Sequence, residues 1–256
     1  MNRSAVAIYR ETAGFGPRIR LGLLSFLTVV AVLISLAAQA GSPADDVATS
    51  SGLPESLSKM GWSVLEVPGK QTAEFSYAGS GTIDIRADNA VAFLYRPVDE
   101  DTADMGRLGW TWRVDQAVPP TDLSRDTGDD RSLAVHIVFP AGHDSLSFWE
   151  SIENTMTELV APPLAGKVLT YVWGGNHPEG VLMENPHFGD QGAMVVLRSS
   201  QEPTGRWFME EIDFEADFQA AFGYAPPAPI FVAISADSDD TGSKTAGAVA
   251  DLTFME

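Results

Sequence analysis

A two-residue rhythm constrains this chain more than any other feature. Leu108, Trp110, Trp112 and Val114 alternate with smaller or polar residues, and Leu133, Val135, Ile137 and Phe139 do the same. Successive side chains of an extended strand point to opposite faces, so each apolar set lands on one face of a half-buried strand. Short alternating or apolar segments recur at Trp62–Val67, Ala73–Tyr77, Thr82–Arg86, Val91–Pro97, Val168–Trp173, Ala193–Leu197, Arg206–Glu211, Ile230–Ser235 and Ala246–Phe254. Gly, Pro and Asp punctuate them, and neither a βαβ alternation nor an internal repeat is visible. The pattern predicts a mainly β chain, an antiparallel jelly-roll-like β-sandwich.

Two stretches change period. In Ser147–Val160, Trp149, Ile152, Met156 and Leu159 recur at helical spacing, with Ser147 and Glu150 as a capping box. Later, Phe214, Phe218 and Phe222 repeat every fourth residue, and Gly223 follows as a stop. Both predict short amphipathic helices packed on the sandwich. Leu53–Met60 reads as a single helical turn opened by the Leu-Pro step.

The first residues have a different character. Arg18 and Arg20 precede an apolar run from Leu21 to Ala38, and Ala38-Gln39-Ala40 has the small-x-small pattern of a processing site. Residues 1–40 therefore read as a signal peptide or, if uncleaved, as an inner-membrane anchor through 21–38. Residues 41–52 read as a flexible linker, and 53–256 as the sandwich domain. Either form of the leader predicts a periplasmic or secreted location.

Charge narrows the partners. Lys and Arg number 16 against 35 Asp and Glu, a formal net charge of −19. Such a surface repels phosphate backbones, which excludes nucleic acid as an expected partner. Neutral glycans, small polar ligands, basic partners and divalent cations are compatible with it. The absence of cysteine removes disulfides, thiol nucleophiles and thiolate metal sites.

Several clusters could carry chemistry. Asp237, Asp239 and Asp240, followed by Thr241 and Gly242, form the densest group of oxygen ligands, of the kind a calcium ion takes. The run is not an EF-hand, because Thr241 and Ala248 stand at the fifth and twelfth loop positions. A plain Asp-rich turn accounts for the same residues. Asp129 and Asp130 need solvent, a cation or a basic partner such as Arg113 or Arg131. Trp173 and Trp207 adjoin glycine-rich loops and are the tryptophans expected to be exposed for stacking on a sugar.

Glu211-Ile-Asp-Phe-Glu215 is similar to the catalytic strand of laminarinase-like glycoside hydrolases. If extended, Glu211, Asp213 and Glu215 share a face, as a retaining pair of carboxyl groups requires. His136, His143, His177 and His187 have no zinc-like spacing, and the 174–190 segment reads as a solvated loop.

Six blocks recur together: Gly109-Trp-Thr-Trp-Arg-Val114, Thr127-Gly-Asp-Asp130, Tyr171-Val-Trp-Gly174, Gly205-Arg-Trp207 with Glu210, Asp217-Phe218 before Ala221-Phe-Gly223, and Asp237-Ser-Asp-Asp-Thr-Gly242. In order and spacing the set resembles the bacterial family DUF3047, over about residues 61–256. The chain departs from the family pattern at Asp126, Ala134 and Ile212-Asp213, where basic or polar residues are expected. The resemblance implies a jelly-roll-like domain in exported proteins and supplies no established activity. The reading as a whole is a domain that binds a carbohydrate or other polar ligand through Arg113, Asp129, Asp130, Trp173 and Trp207. A glycoside hydrolase and an envelope assembly partner are the alternatives.

Overall fold

The computed structural model describes residues 53–67, 69–102, 104–140 and 166–256. The expected leader and linker, and the helix expected over Ser147–Val160, lie outside these residues, as does His143.

Among the described residues twelve strands form two stacked sheets. The larger sheet contains β1 (Ser63–Glu66), β4 (Val91–Pro97), β6 (Arg131–Val138), β7 (Val168–Trp173), β8 (Leu182–Asn185), β9 (Gly189–Arg198) and β11 (Phe231–Asp237), ordered β1-β4-β11-β6-β7-β9-β8. The smaller contains β2 (Glu74–Gly79), β3 (Thr82–Asp88), β5 (Arg107–Gln116), β10 (Phe208–Asp213) and β12 (Lys244–Met255), ordered β10-β5-β12-β3-β2. Every segment read as a strand is one. β8, hidden in the 174–190 loop, was not legible. The strand pairs are antiparallel except β7 with β9, which run parallel because β9 returns between β7 and β8.

Period two sets the core. Leu108, Trp110, Trp112 and Val114 of β5 meet Leu133, Val135 and Ile137 of β6 between the sheets, all essentially inaccessible. One expectation is corrected: β6 is buried on both faces, not half buried. The 117–130 loop explains part of this, since its Leu123 packs on Val172, Met194 and Val196 on the outer face.

Among the described residues two short α-helices flank the sheets. α1 (Glu55–Lys59) follows Pro54 and buries Leu57. α2 (Phe214–Phe222) starts directly at the end of β10, and its Phe218 ring lies 4.6 Å from that of Phe139. Gly223 ends the helix at φ 85°, a left-handed position where a side chain would be strained, and donates to the Gln219 carbonyl.

Candidate functional site

Two distant stretches of acidic sequence meet at one end of the sandwich. β11 leaves the larger sheet at Asp237, and the chain turns through Ser238–Ser243 to enter the smaller sheet as β12. Ser238 anchors this turn on the β3–β4 connection, its N–H donating to the Ala90 carbonyl and its Oγ accepting from the Ala90 N–H. The carboxylate of Asp130 then accepts from the Asp240 N–H (3.1 Å), the Thr241 N–H (2.8 Å) and the Thr241 hydroxyl. Asp240 reciprocates by accepting from the Gly128 N–H at 2.6 Å. Short polar side chains thus cap each other's turns, using donors that turns leave free.

Buried charge continues inward from this junction. Arg131 is 1% exposed and donates to Asp129 Oδ2 at 2.7 Å, with Asp237 Oδ2 3.4 Å from its other terminal nitrogen. His187 lies 3.0 Å from the same Asp129 oxygen, and Lys70 contacts Asp239 from the solvent side. Charges this deeply buried persist only when paired. Arg131 is therefore the basic partner of Asp129, while Arg113 takes no part. The expected solvated 174–190 loop is also corrected, because His187 seals the pair.

Titration follows from these contacts. Burial alone would raise the Asp129 pKa, but the His187 hydrogen bond and the Arg131 charge overcome it and hold the carboxyl at about 2. Asp237 moves the other way: burial pushes it well above the usual carboxylate range, Arg131 opposes this, and Asp129 and Asp239 reinforce it. His136 is buried beyond the same arginine, between Thr170 Oγ1 (3.1 Å) and Ser235 Oγ (2.8 Å). Burial and the Arg131 charge lower its pKa to about 3.

The other expected site residues separate. Trp173 is 1% exposed and packs edge-on against Trp112 and Phe208, so it cannot stack on a ligand. Its period-two position on β7 faces the core, which outweighs its proximity to Gly174. Trp207 is 43% exposed, and the Arg113 guanidinium lies 4.8 Å from its ring centre. The acids of the pentapeptide do not share one strand. β10 ends at Asp213, whose carboxylate accepts from the Ala216 N–H and opens α2, so Glu215 belongs to the helix. Glu211 remains on the strand, ion-paired with Arg107.

One charged group was missed as an inward-facing residue. Glu210 points between the sheets and accepts from Trp112 Nε1 (2.8 Å) and from Arg198 Nε (2.7 Å). Its alternation with exposed Met209 and Glu211 was the available signal. Trp110, Trp112, Trp173 and Phe208 form an unbroken edge-to-face series from this carboxylate across the core.

Residues 60–253 match the family model described as "Protein of unknown function (DUF3047)". The chain belongs to this family. No curated protein matches the sequence. Among solved structures, one similar chain is the xyloglucanase domain of NopAA from Sinorhizobium fredii, in complex with cellobiose. The identity is 7%, with 76% of this chain and 93% of that one covered and a TM-score of 0.39. A second is a thermostable cellulase derived from Cel12A of Rhodothermus marinus, at 11% identity, 75% and 90% coverage and a TM-score of 0.38. Neither likeness bears on what the chain binds.

On the fold, the DUF3047 blocks gather into two constellations. Those bearing Trp110, Trp112, Tyr171, Trp173 and Glu210 build the bridge between the sheets, joined by Asp217, which accepts from the Tyr171 hydroxyl at 3.0 Å. The Thr127–Asp130 and Asp237–Gly242 blocks build the acidic junction.

Proposed function

We propose that this domain binds a neutral or cationic polyol, a carbohydrate by preference, without chemical turnover and outside the cytoplasm. The observation that carries the reading is the exposed indole of Trp207, held beside Arg113 on the outer face of the smaller sheet. Trp62, Trp110, Trp112 and Trp173 are spent on the core.

The surroundings suit a flat, hydroxyl-rich ligand. Cross-strand partners share a face, so Met209, 76% exposed, and its half-buried partner Thr111 lie with Arg113 as a floor on that outer side. Asp115 on Arg113, and Arg107 on Glu211, furnish donors and acceptors at the margins of that floor. An aromatic face stacks on the C–H-rich side of a sugar while polar neighbours take its hydroxyls. The net charge of −19 disfavours polyanionic glycans. The leader pattern supports an extracytoplasmic site of action.

Calorimetric titration with a panel of neutral oligosaccharides tests the reading. At least one should bind, and Trp207→Ala should weaken it roughly ten-fold or more, the scale of an anchoring aromatic. Absence of binding across the panel, or equal affinity in the variant, would refute it. Because Trp207 is exposed, its removal leaves the core intact.

A further inference from the structure

We propose that Asp130, Asp237 and Asp239 hold a divalent cation, calcium by the chemistry of the ligands, where the two acidic turns meet. This goes beyond the carbohydrate reading and is independent of it.

The first support is geometric. One oxygen from each of the three carboxylates falls within 4.8 Å of the others. Calcium–oxygen bonds of about 2.3–2.6 Å place two ligands of one ion no more than about 5 Å apart, so the three can converge on a single centre. The second support is a buried atom. Asp237 is 6% exposed, and its Oδ1 has no hydrogen-bond partner among the described residues. Its other oxygen faces Arg131 at 3.4 Å, so that guanidinium satisfies one side of the carboxylate. Oxygens of Asp130 and Asp239 lie within 4.8 Å of this carboxylate, and negative groups so close together repel unless positive charge stands among them.

Ligand orientation is already set. The donors of Asp240 and Thr241 hold Asp130, whose Oδ1 accepts one hydrogen bond among the described residues, from the Asp240 N–H, and keeps a lone pair for an ion. All three side chains offer hard oxygen, with neither nitrogen nor sulfur among them, which favours calcium over zinc. Asp129, Asp130 and Asp237 act on Arg131, and Asp239 and Asp240 join them at the junction, so the one buried guanidinium leaves a negative excess. Lys70 neutralises part of it, contacting Asp239 and standing 3.7 Å from Asp240 Oδ1 on a side chain 42% exposed. An incoming divalent ion competes with this ammonium, which can swing back to solvent.

The test uses the purified full chain, stripped with EDTA and titrated with calcium chloride by calorimetry and thermal melting. One ion per chain is expected, with Tm rising roughly 5 °C at a hundred-fold excess over the dissociation constant. Magnesium chloride should bind more weakly, because it demands a tighter octahedron. Asp239→Asn should cost at least ten-fold in calcium affinity, and Lys70→Gln should bind at least as tightly as the parent. Asp237→Asn should also lose binding; if it fails to fold, Asp239→Asn decides alone. The proposal is overturned by no calorimetric binding at 10 mM calcium, by a Tm rise that sodium chloride reproduces at equal ionic strength, by calcium affinity unchanged in Asp239→Asn, or by weaker binding in Lys70→Gln.

Discussion

Glu210 shows how much one side chain can depend on its partners. It sits between the sheets, yet its carboxylate receives the indole N–H of Trp112 and the guanidinium of Arg198, whose own plane covers the Phe208 ring at 4.5 Å. Removing the carboxylate strands a buried donor and leaves a half-buried cation without its counter-charge. Glu210→Ala is expected to destabilise the fold by about 2–3 kcal/mol, whereas Glu210→Gln, which keeps an acceptor in place, should cost less. Urea denaturation of both variants checks this, and a loss below about 0.5 kcal/mol for the alanine variant would contradict the assignment. Trp207 and Trp173 make a matching contrast. Both lie near glycines in sequence, but only the strand parity of Trp173 reveals that its ring belongs to the core.

The passage from β10 into α2 is where local sequence was most ambiguous. Glu211-Ile-Asp-Phe-Glu215 fits an alternating strand, and from Phe214 it also fits a helix. Asp213 decides between them. Its side chain accepts from the Ala216 N–H at 2.9 Å, satisfying one of the donors that a helix start leaves open. Burial of Phe214 and Phe218 against Phe139 then rewards the helical course. Asp213→Ala should cost about 1 kcal/mol, and Asp213→Asn only a few tenths, because asparagine caps nearly as well. A Tm lowered by roughly 2–4 °C for the alanine variant alone would bear this out. The strands themselves were legible because apolar alternation is local. β8 was not, since its few residues lie in a Gly- and Pro-rich stretch and gain their strand character only by pairing with β9.

At the scale of the molecule, the larger sheet carries an ionic and polar seam that ties stability to pH. His136 lies between Thr170 and Ser235, faces the Phe93 ring and feels the charge of Arg131. Its pKa is about 3 when folded, against 6.5 for a free imidazole. Between these values the unfolded chain binds the proton and the folded one does not. The contribution of His136 is therefore complete above pH 6.5 and drains away as pH falls toward 3. The slope approaches about 1.4 kcal/mol per pH unit at its steepest. Replacing the residue, as in His136→Gln, should flatten the stability profile between pH 6.5 and 4, measured by denaturant titration at each pH. A profile parallel to the parent's would show that the imidazole does not stay neutral. Asp237, with its raised pKa, acts with the opposite sign, so the comparison between parent and variant isolates the histidine.

The strands other than β8, the mainly β class and the helix at Phe214 were written in the sequence, because each depends on neighbours a few residues apart. Which charges meet was not. Asp130 and Asp240 stand 110 positions apart and Glu210 and Trp112 stand 98 apart, and such contacts arise only once the sheets stack and their connecting turns converge. Sequence parity tells a side chain which face it occupies; tertiary packing alone tells it what waits there, and so turned a tryptophan beside a glycine into core and a run of aspartates into a shared, buried junction.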